Sequence, residues 1–138
     1  MIAGLTGLRD IYTNQVAIEH NNKGDDFRTA LQSAVDRRGL PMHVSGAGSL
    51  LCIHFQYGPI ENAGDIRSDP RLRSLLQLEM MLSGMYLANR GFMSLSLALD
   101  NVHYERFLEL FEQFIDRRAR QIEQHAPAGG ERSGSPAN

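Results

Sequence analysis

The sequence predicts an α+β fold, a small mostly antiparallel sheet covered by helices, and three observations carry that prediction. Apolar residues at three- and four-residue steps mark helical faces near both ends of the chain. Between them, residues 42–55 and 92–99 change to the two-residue alternation of strands. A length of 138 residues allows one domain with one core. The resulting order, helix, helix, strand, strand, helix, short strand, strand, helix, therefore fits two packed layers.

Residues 1–19 place Leu5, Leu8, Tyr12 and Val16 on one helical face. This helix starts abruptly. No Ser, Thr, Asp or Asn precedes Ile2 to satisfy the first N–H groups, and Gly4 and Gly7 weaken the opening turns, so it reads as the back half of a longer helix. A second helix is predicted over 22–38, with Asn21 or Asn22 as cap, Asp25 and Asp26 in its first turn, and Phe27, Leu31, Ala34 and Val35 facing the core. Gly39 stops it and Pro41 prevents its resumption.

Met42 and Val44, then Leu50 or Leu51, Ile53 and Phe55, flank the turn Gly46-Ala47-Gly48-Ser49 and predict a hairpin. Residues 58–68 are polar and turn-rich, a loop. Asp69-Pro70 then opens a third helix with Leu72, Leu75, Leu76, Leu82 and Met85 as its apolar stripe, weakened at Gly84. Met85-Tyr86-Leu87 reads as a short extended piece. Residues 92–99 set Phe92, Met93, Leu95, Leu97 and Leu99 against Ser94, Ser96 and Ala98, a strand with one buried face. Asp100 or Asn101 caps a last helix to about Gln124, with Phe107, Leu108, Phe111, Phe114 and Ile115 on its apolar side. The polar segment from His125 onward, 125–138, is expected to be disordered.

Composition excludes several function classes. The net charge of -2 and a pI near 6.2 leave no basic surplus for a phosphate backbone or an anionic membrane, so neither nucleic acid nor membrane is expected as a partner. No apolar run approaches the roughly 18 residues of a membrane span. The single Cys52 cannot close an intrachain disulfide, and no secretory leader opens the sequence, so the expected compartment is the reducing cytoplasm. Of the basic residues only Lys23 is a lysine, which makes it the sole candidate for amine chemistry.

The motifs weigh mostly toward structure. Gly46-Ala47-Gly48 precedes a strand rather than a helix N-terminus and lacks the third glycine of a dinucleotide loop, so it reads as a hairpin turn. His20, His43, His54, His103 and His125 show no metal-ligand spacing, although His43 and His54 could meet across the hairpin; no metal is expected. Cys52, inside an apolar run, reads as an inert core residue. Ser94 and Ser96 lie outside any nucleophile elbow. Arg117, Arg118 and Arg120 beside Glu112, Asp116 and Glu123 read as a mixed solvated face. Arg90, just ahead of Gly91 between a helix end and a strand, is placed where rigid elements can aim a guanidinium at a carboxylate.

The segments IAGLTGL, NNKGDDFRTAL, GLPMHVSGAGSLLCIHF and LLQLEMMLSGMYLANRGFMSLSLALDNVHYERFLELF, in order over about residues 1–120, resemble the C-terminal part of class III pyridoxal-phosphate aminotransferases, nearest the glutamate-1-semialdehyde aminomutase branch. The resemblance implies a fold-type-I homodimer whose small C-terminal domain is helices over a short antiparallel sheet. It divides the chain into a remnant of a linking helix (1–19), the small domain (20–124) and the tail (125–138). It also implies that pyridoxal phosphate is held by a large domain upstream of this stretch, through a lysine, an aspartate and a Gly-Thr phosphate contact. Lys23 does not occupy that lysine position. The chain is thus expected to carry no catalytic or cofactor-binding residue, to bind no cofactor alone, and to need the missing large domain or the second subunit as partner. Tyr86 to Asp100 matches the stretch that closes over a small amino-acid substrate, with Arg90 as the substrate-binding residue. The aminomutase usually has a few more residues, one a glutamate, between the equivalents of Leu87 and Gly91, which favours a related amino-acid aminotransferase. The alternative is a non-catalytic module that binds a partner or itself through the orphaned face of the first helix.

Overall fold

The structure, a computed structural model, describes residues 6–127. A π-helical turn over Gly7–Ile11 leads to α1, Asn14–Asp36. The hairpin of β1, Met42–Ala47, and β2, Leu50–Phe55, follows. After α2, Pro70–Leu82, comes the short β3, Phe92–Ser94, and the chain ends in α3, Asn101–His125. The sheet order is β1-β2-β3 with both pairs antiparallel, so the α+β architecture read from periodicity is the one observed.

The first two predicted helices are one. The Thr13 side chain caps α1 by accepting from the Val16 N–H, and the helix passes through Asn21 and Asn22 without a break. The asparagines carry a capping signal in the sequence, but tertiary contacts use them otherwise. The Asn21 side chain lies against Gly48 of the hairpin turn, and the Gly24 backbone meets it so closely that a Cβ there would sit 2.0 Å from the Gly48 carbonyl oxygen. The Asp25 carboxylate accepts the Gly48 N–H at 3.0 Å. Leu5 lies outside the described residues, as does the side chain of Leu8. Tyr12 is exposed and Val16 half-buried.

The core lies on one face of the sheet. Met42 and Val44 of β1, Leu51, Ile53 and Phe55 of β2 and Met93 of β3 point inward together, as the period of two requires. Over them pack Phe27, Leu31, Ala34 and Val35 from α1, and Phe107, Phe111, Phe114 and Ile115 from α3, all positions that the helical spacing selects. Edge-to-face pairs fix their geometry: Phe27 meets Tyr104 at 4.9 Å and Phe107 at 5.7 Å, and Phe55 meets Phe114 at 6.3 Å.

Three local expectations are corrected. On α2 the buried stripe is Leu72, Leu76 and Met80, four residues apart, whereas Leu82 is 79% exposed. Met85 to Leu87 forms no strand; the Met85 N–H closes the helix end on the Met80 carbonyl, and Gly84 takes the left-handed conformation that lets the chain leave. The strand at 92–99 stops at Ser94, because the Ser96 hydroxyl accepts the Ala98 N–H and turns the chain, a local bond that competes with the ladder. Asp69 and Asp100 cap α2 and α3 as the sequence indicates. The arginine-rich face of α3 is not simply solvated. Glu79 of α2 receives Arg117 and Arg118, while Glu112 and Asp116 receive Arg37 and Arg38, so these charges clamp α3 to both other helices. Past α3, Ala126 is buried and the Pro127 carbonyl accepts the Tyr57 N–H.

Candidate functional site

The candidate site is built on the loop between α2 and β3. Tyr86 to Gly91 is held from three sides. Ser74 on α2 donates its hydroxyl to the Asn89 side-chain carbonyl at 2.9 Å. The Cys52 thiol of β2 reaches the Arg90 carbonyl at 3.7 Å, and the Gly91 carbonyl accepts the Ile53 N–H at 3.0 Å. Gly91 has a φ of +73°, and a Cβ would stand 2.7 Å from the Ile53 oxygen, so glycine alone fits this approach. Arg90 therefore rises from an anchored backbone. Its side chain is exposed and holds no carboxylate among the described residues.

Beside Arg90 lies the outer face of the sheet, with His43 and Ser45 from β1, Cys52 and His54 from β2, and Phe92 and Ser94 from β3. His43 and His54 are cross-strand partners, as the hairpin reading allowed, and no cluster of three or more His, Cys, Asp or Glu among the described residues is arranged to hold a metal ion. His54 is 3% exposed and bonds the Ser45 hydroxyl through Nε2 at 2.8 Å, leaving its buried Nδ1 without a partner. Burial, then Arg73 and His43, hold its pKa below the ordinary imidazole value. Cys52 is half-buried rather than fully in the core; burial pushes its thiol up, against a smaller opposing pull from Arg73. Nothing in the sequence singles out Arg73, whose influence on His54 and Cys52 follows from the packing of α2 beside β2.

An apolar cavity of about 460 Å³ sits on the other side of the same loop, lined by Phe27, Met85, Leu87, Phe92, Leu99 and Tyr104. The buried Tyr104 hydroxyl has no partner among the described residues, and burial raises its pKa.

The described residues do not fit a pyridoxal-phosphate site. Lys23 is exposed on α1 and lies over the Tyr104 ring, 5.5 Å from its centroid. The glycine turn offers no phosphate cradle, since its Gly48 N–H is already held by the Asp25 carboxylate, which would repel a phosphate.

No family model matches the chain. It is 32% identical over 116 residues to the beta-phenylalanine transaminase of Variovorax paradoxus, a match that covers 83% of this chain and 27% of that protein. It is 30% identical over 116 residues to the glutamate-1-semialdehyde 2,1-aminomutase of Desulforudis audaxviator, covering 82% of this chain and 27% of the relative. The crystal structure of the Variovorax paradoxus beta-phenylalanine aminotransferase superposes with a TM-score of 0.82 at 30% identity, over 86% of this chain and 28% of that one. An omega-transaminase from Sphaerobacter thermophilus shares the fold, with a TM-score of 0.70 at 22% identity over 83% of this chain and 27% of its own. The chain thus spans little more than a quarter of the length of these relatives. In sequence and in fold, it matches the C-terminal part of the class III pyridoxal-phosphate aminotransferases.

Proposed function

We propose that this chain supplies the substrate-closing C-terminal part of a pyridoxal-phosphate aminotransferase or aminomutase, acts on a small amino acid, and is inactive without a cofactor-bearing large domain. The observation that carries this reading is the TM-score of 0.82 at 30% identity to the Variovorax paradoxus enzyme, over only 28% of that chain. The cofactor, bound by other polypeptide, supplies the electron sink for amino-group transfer. This chain's residues bind and orient. Arg90 receives the substrate carboxylate, and the bonds from Ser74, Cys52 and Ile53 to its loop fix where the guanidinium stands.

The test is a hybrid in which residues of this chain replace the matched C-terminal part of the Variovorax paradoxus transaminase. The hybrid is expected to keep transaminase activity. Arg90→Ala should lower kcat/KM about 30-fold, near 2 kcal/mol, mainly through KM, because a charge-assisted contact to substrate is lost. A folded, cofactor-loaded hybrid without activity would overturn the reading, and an unaffected Arg90→Ala variant would remove Arg90 from it. Association through the first helix face of Leu5, Leu8, Tyr12 and Val16 is the second reading, favoured by Tyr12, which is 38% exposed.

A further inference from the structure

The two edges of the sheet are finished differently. At the β3 edge the Gly91 carbonyl accepts the Ile53 N–H, and the Leu95 N–H bonds the Ser49 carbonyl. Antiparallel bonding alternates along a strand, so Met93 bonds to Leu51, while the N–H and C=O groups of Phe92 and Ser94 point away from β2. No loop, cap or side chain among the described residues takes them. The opposite edge is closed, because the Met42 N–H bonds the Leu40 carbonyl and the Val44 N–H bonds the Gln32 side chain, each at 2.8 Å. Unpaired backbone groups along an edge are a template for a further strand.

The apolar cavity of about 460 Å³ lies against that open edge. Phe92 and Met93 of β3 line it, and so do Phe27, Tyr104 and Phe107, which face the core from the helices. A strand laid against β3 sets the residue beside Met93 on the same face as Met93, which is 8% exposed and turned to the core. Its inward side chain would therefore enter the cavity. We infer that β3 is an interaction edge that receives a fourth strand, an extended segment with an apolar inward residue, from the polypeptide that carries the rest of the enzyme. The edge rests on the geometry of this chain, and its occupant rests on the aminotransferase reading. Three residues are too short an edge for a free peptide or a second copy, since specific association of separate molecules buries about 1,200 Å² or more. A segment already tethered by other contacts needs no such area. The matched stretch covers 27% of the Variovorax paradoxus protein, so polypeptide able to supply the segment lies outside it.

The test reads amide hydrogen–deuterium exchange at single residues, in the full chain alone and in the hybrid with the Variovorax paradoxus transaminase. In the chain alone Phe92 and Ser94 are expected to exchange fast while Met93 between them is slow. In the hybrid both should slow by about a hundredfold or more. Ser94→Pro removes one outward N–H and leaves the bonds to β2, so it should lower the melting temperature of the hybrid and spare that of the chain alone. Edge amides already slow in the chain alone, or still fast in a folded hybrid, would overturn the inference, as would Ser94→Pro destabilising both proteins equally. An active hybrid with fast edge amides leaves the aminotransferase reading standing and removes the fourth strand. A folded, cofactor-loaded hybrid that is inactive yet protected at Phe92 and Ser94 does the reverse.

Discussion

His54 and Arg90 illustrate how differently two polar residues of one loop-and-sheet face are held. Arg90 is free at its tip and fixed at its backbone, whereas His54 is buried, neutral by preference and bonded to Ser45. Because folding lowers the His54 pKa, the unfolded chain takes up the proton first as pH falls. Stability is therefore full above the ordinary imidazole value of about 6.5 and declines as pH drops through it. Urea midpoints measured across that range should fall with acid, and His54→Gln should flatten the fall; an unchanged slope would rule out His54 as its source. Asp69, held low chiefly by the Arg71 hydrogen bond, and Asp116, held low by Arg38, lose their contribution only near about pH 4 and below, which separates the two effects. The sequence offered Arg90 as a candidate and allowed the His43–His54 pairing that the hairpin register shows, since both follow from local position. It could not show the influence of Arg73 on His54, which depends on where α2 lands.

Among the elements, α1 shows best where local signals yield to packing. Asn21, Asn22, Asp25 and Asp26 together look like a helix start, and Gly24 looks like a weak point. In the fold Thr13 provides the start, and Gly24 is the only residue small enough for the hairpin turn to rest on the helix. Helix propensity by itself favours Gly24→Ala by about 1 kcal/mol. The clash of its Cβ with backbone, by contrast, costs about 1 to 3 kcal/mol, so the substitution is expected to lower the urea midpoint. A midpoint that rises would show that the turn gives way freely. The strand at 92–94 makes the complementary point, because alternation continues to Leu99 in the sequence while the Ser96 hydroxyl ends the strand early.

For the molecule as a unit, the described residues bury one complete core and leave large apolar groups uncovered around the candidate loop. Tyr86 is 82%, Leu82 79% and Val102 69% exposed, a pattern suited to a surface that rests against further polypeptide. No helix among the described residues is long and apolar enough to cross a membrane. If the cofactor is carried elsewhere, the purified full chain mixed with pyridoxal phosphate and reduced with borohydride should show no stoichiometric label on Lys23 by mass mapping. Stoichiometric labelling there would demand an active site of a different kind, because Lys23 is exposed and lies over the Tyr104 ring.

The sequence alone determined the α+β class, the hairpin, the caps at Asp69 and Asp100, the inward faces of the helices around Phe27 and Phe111, and the resemblance to the aminotransferases. These are decided by period, capping chemistry and turn residues, all of which act within a few positions. Tertiary structure decided the union of the first two helices, the phase of α2 that buries Met80 and exposes Leu82, the short β3, and the bond that ties α2 to the loop at Asn89. Each of those turns on contacts between residues far apart in the chain, such as Gly24 with Gly48 and Ser74 with Asn89, whose energies outweigh local preference and leave no mark in spacing.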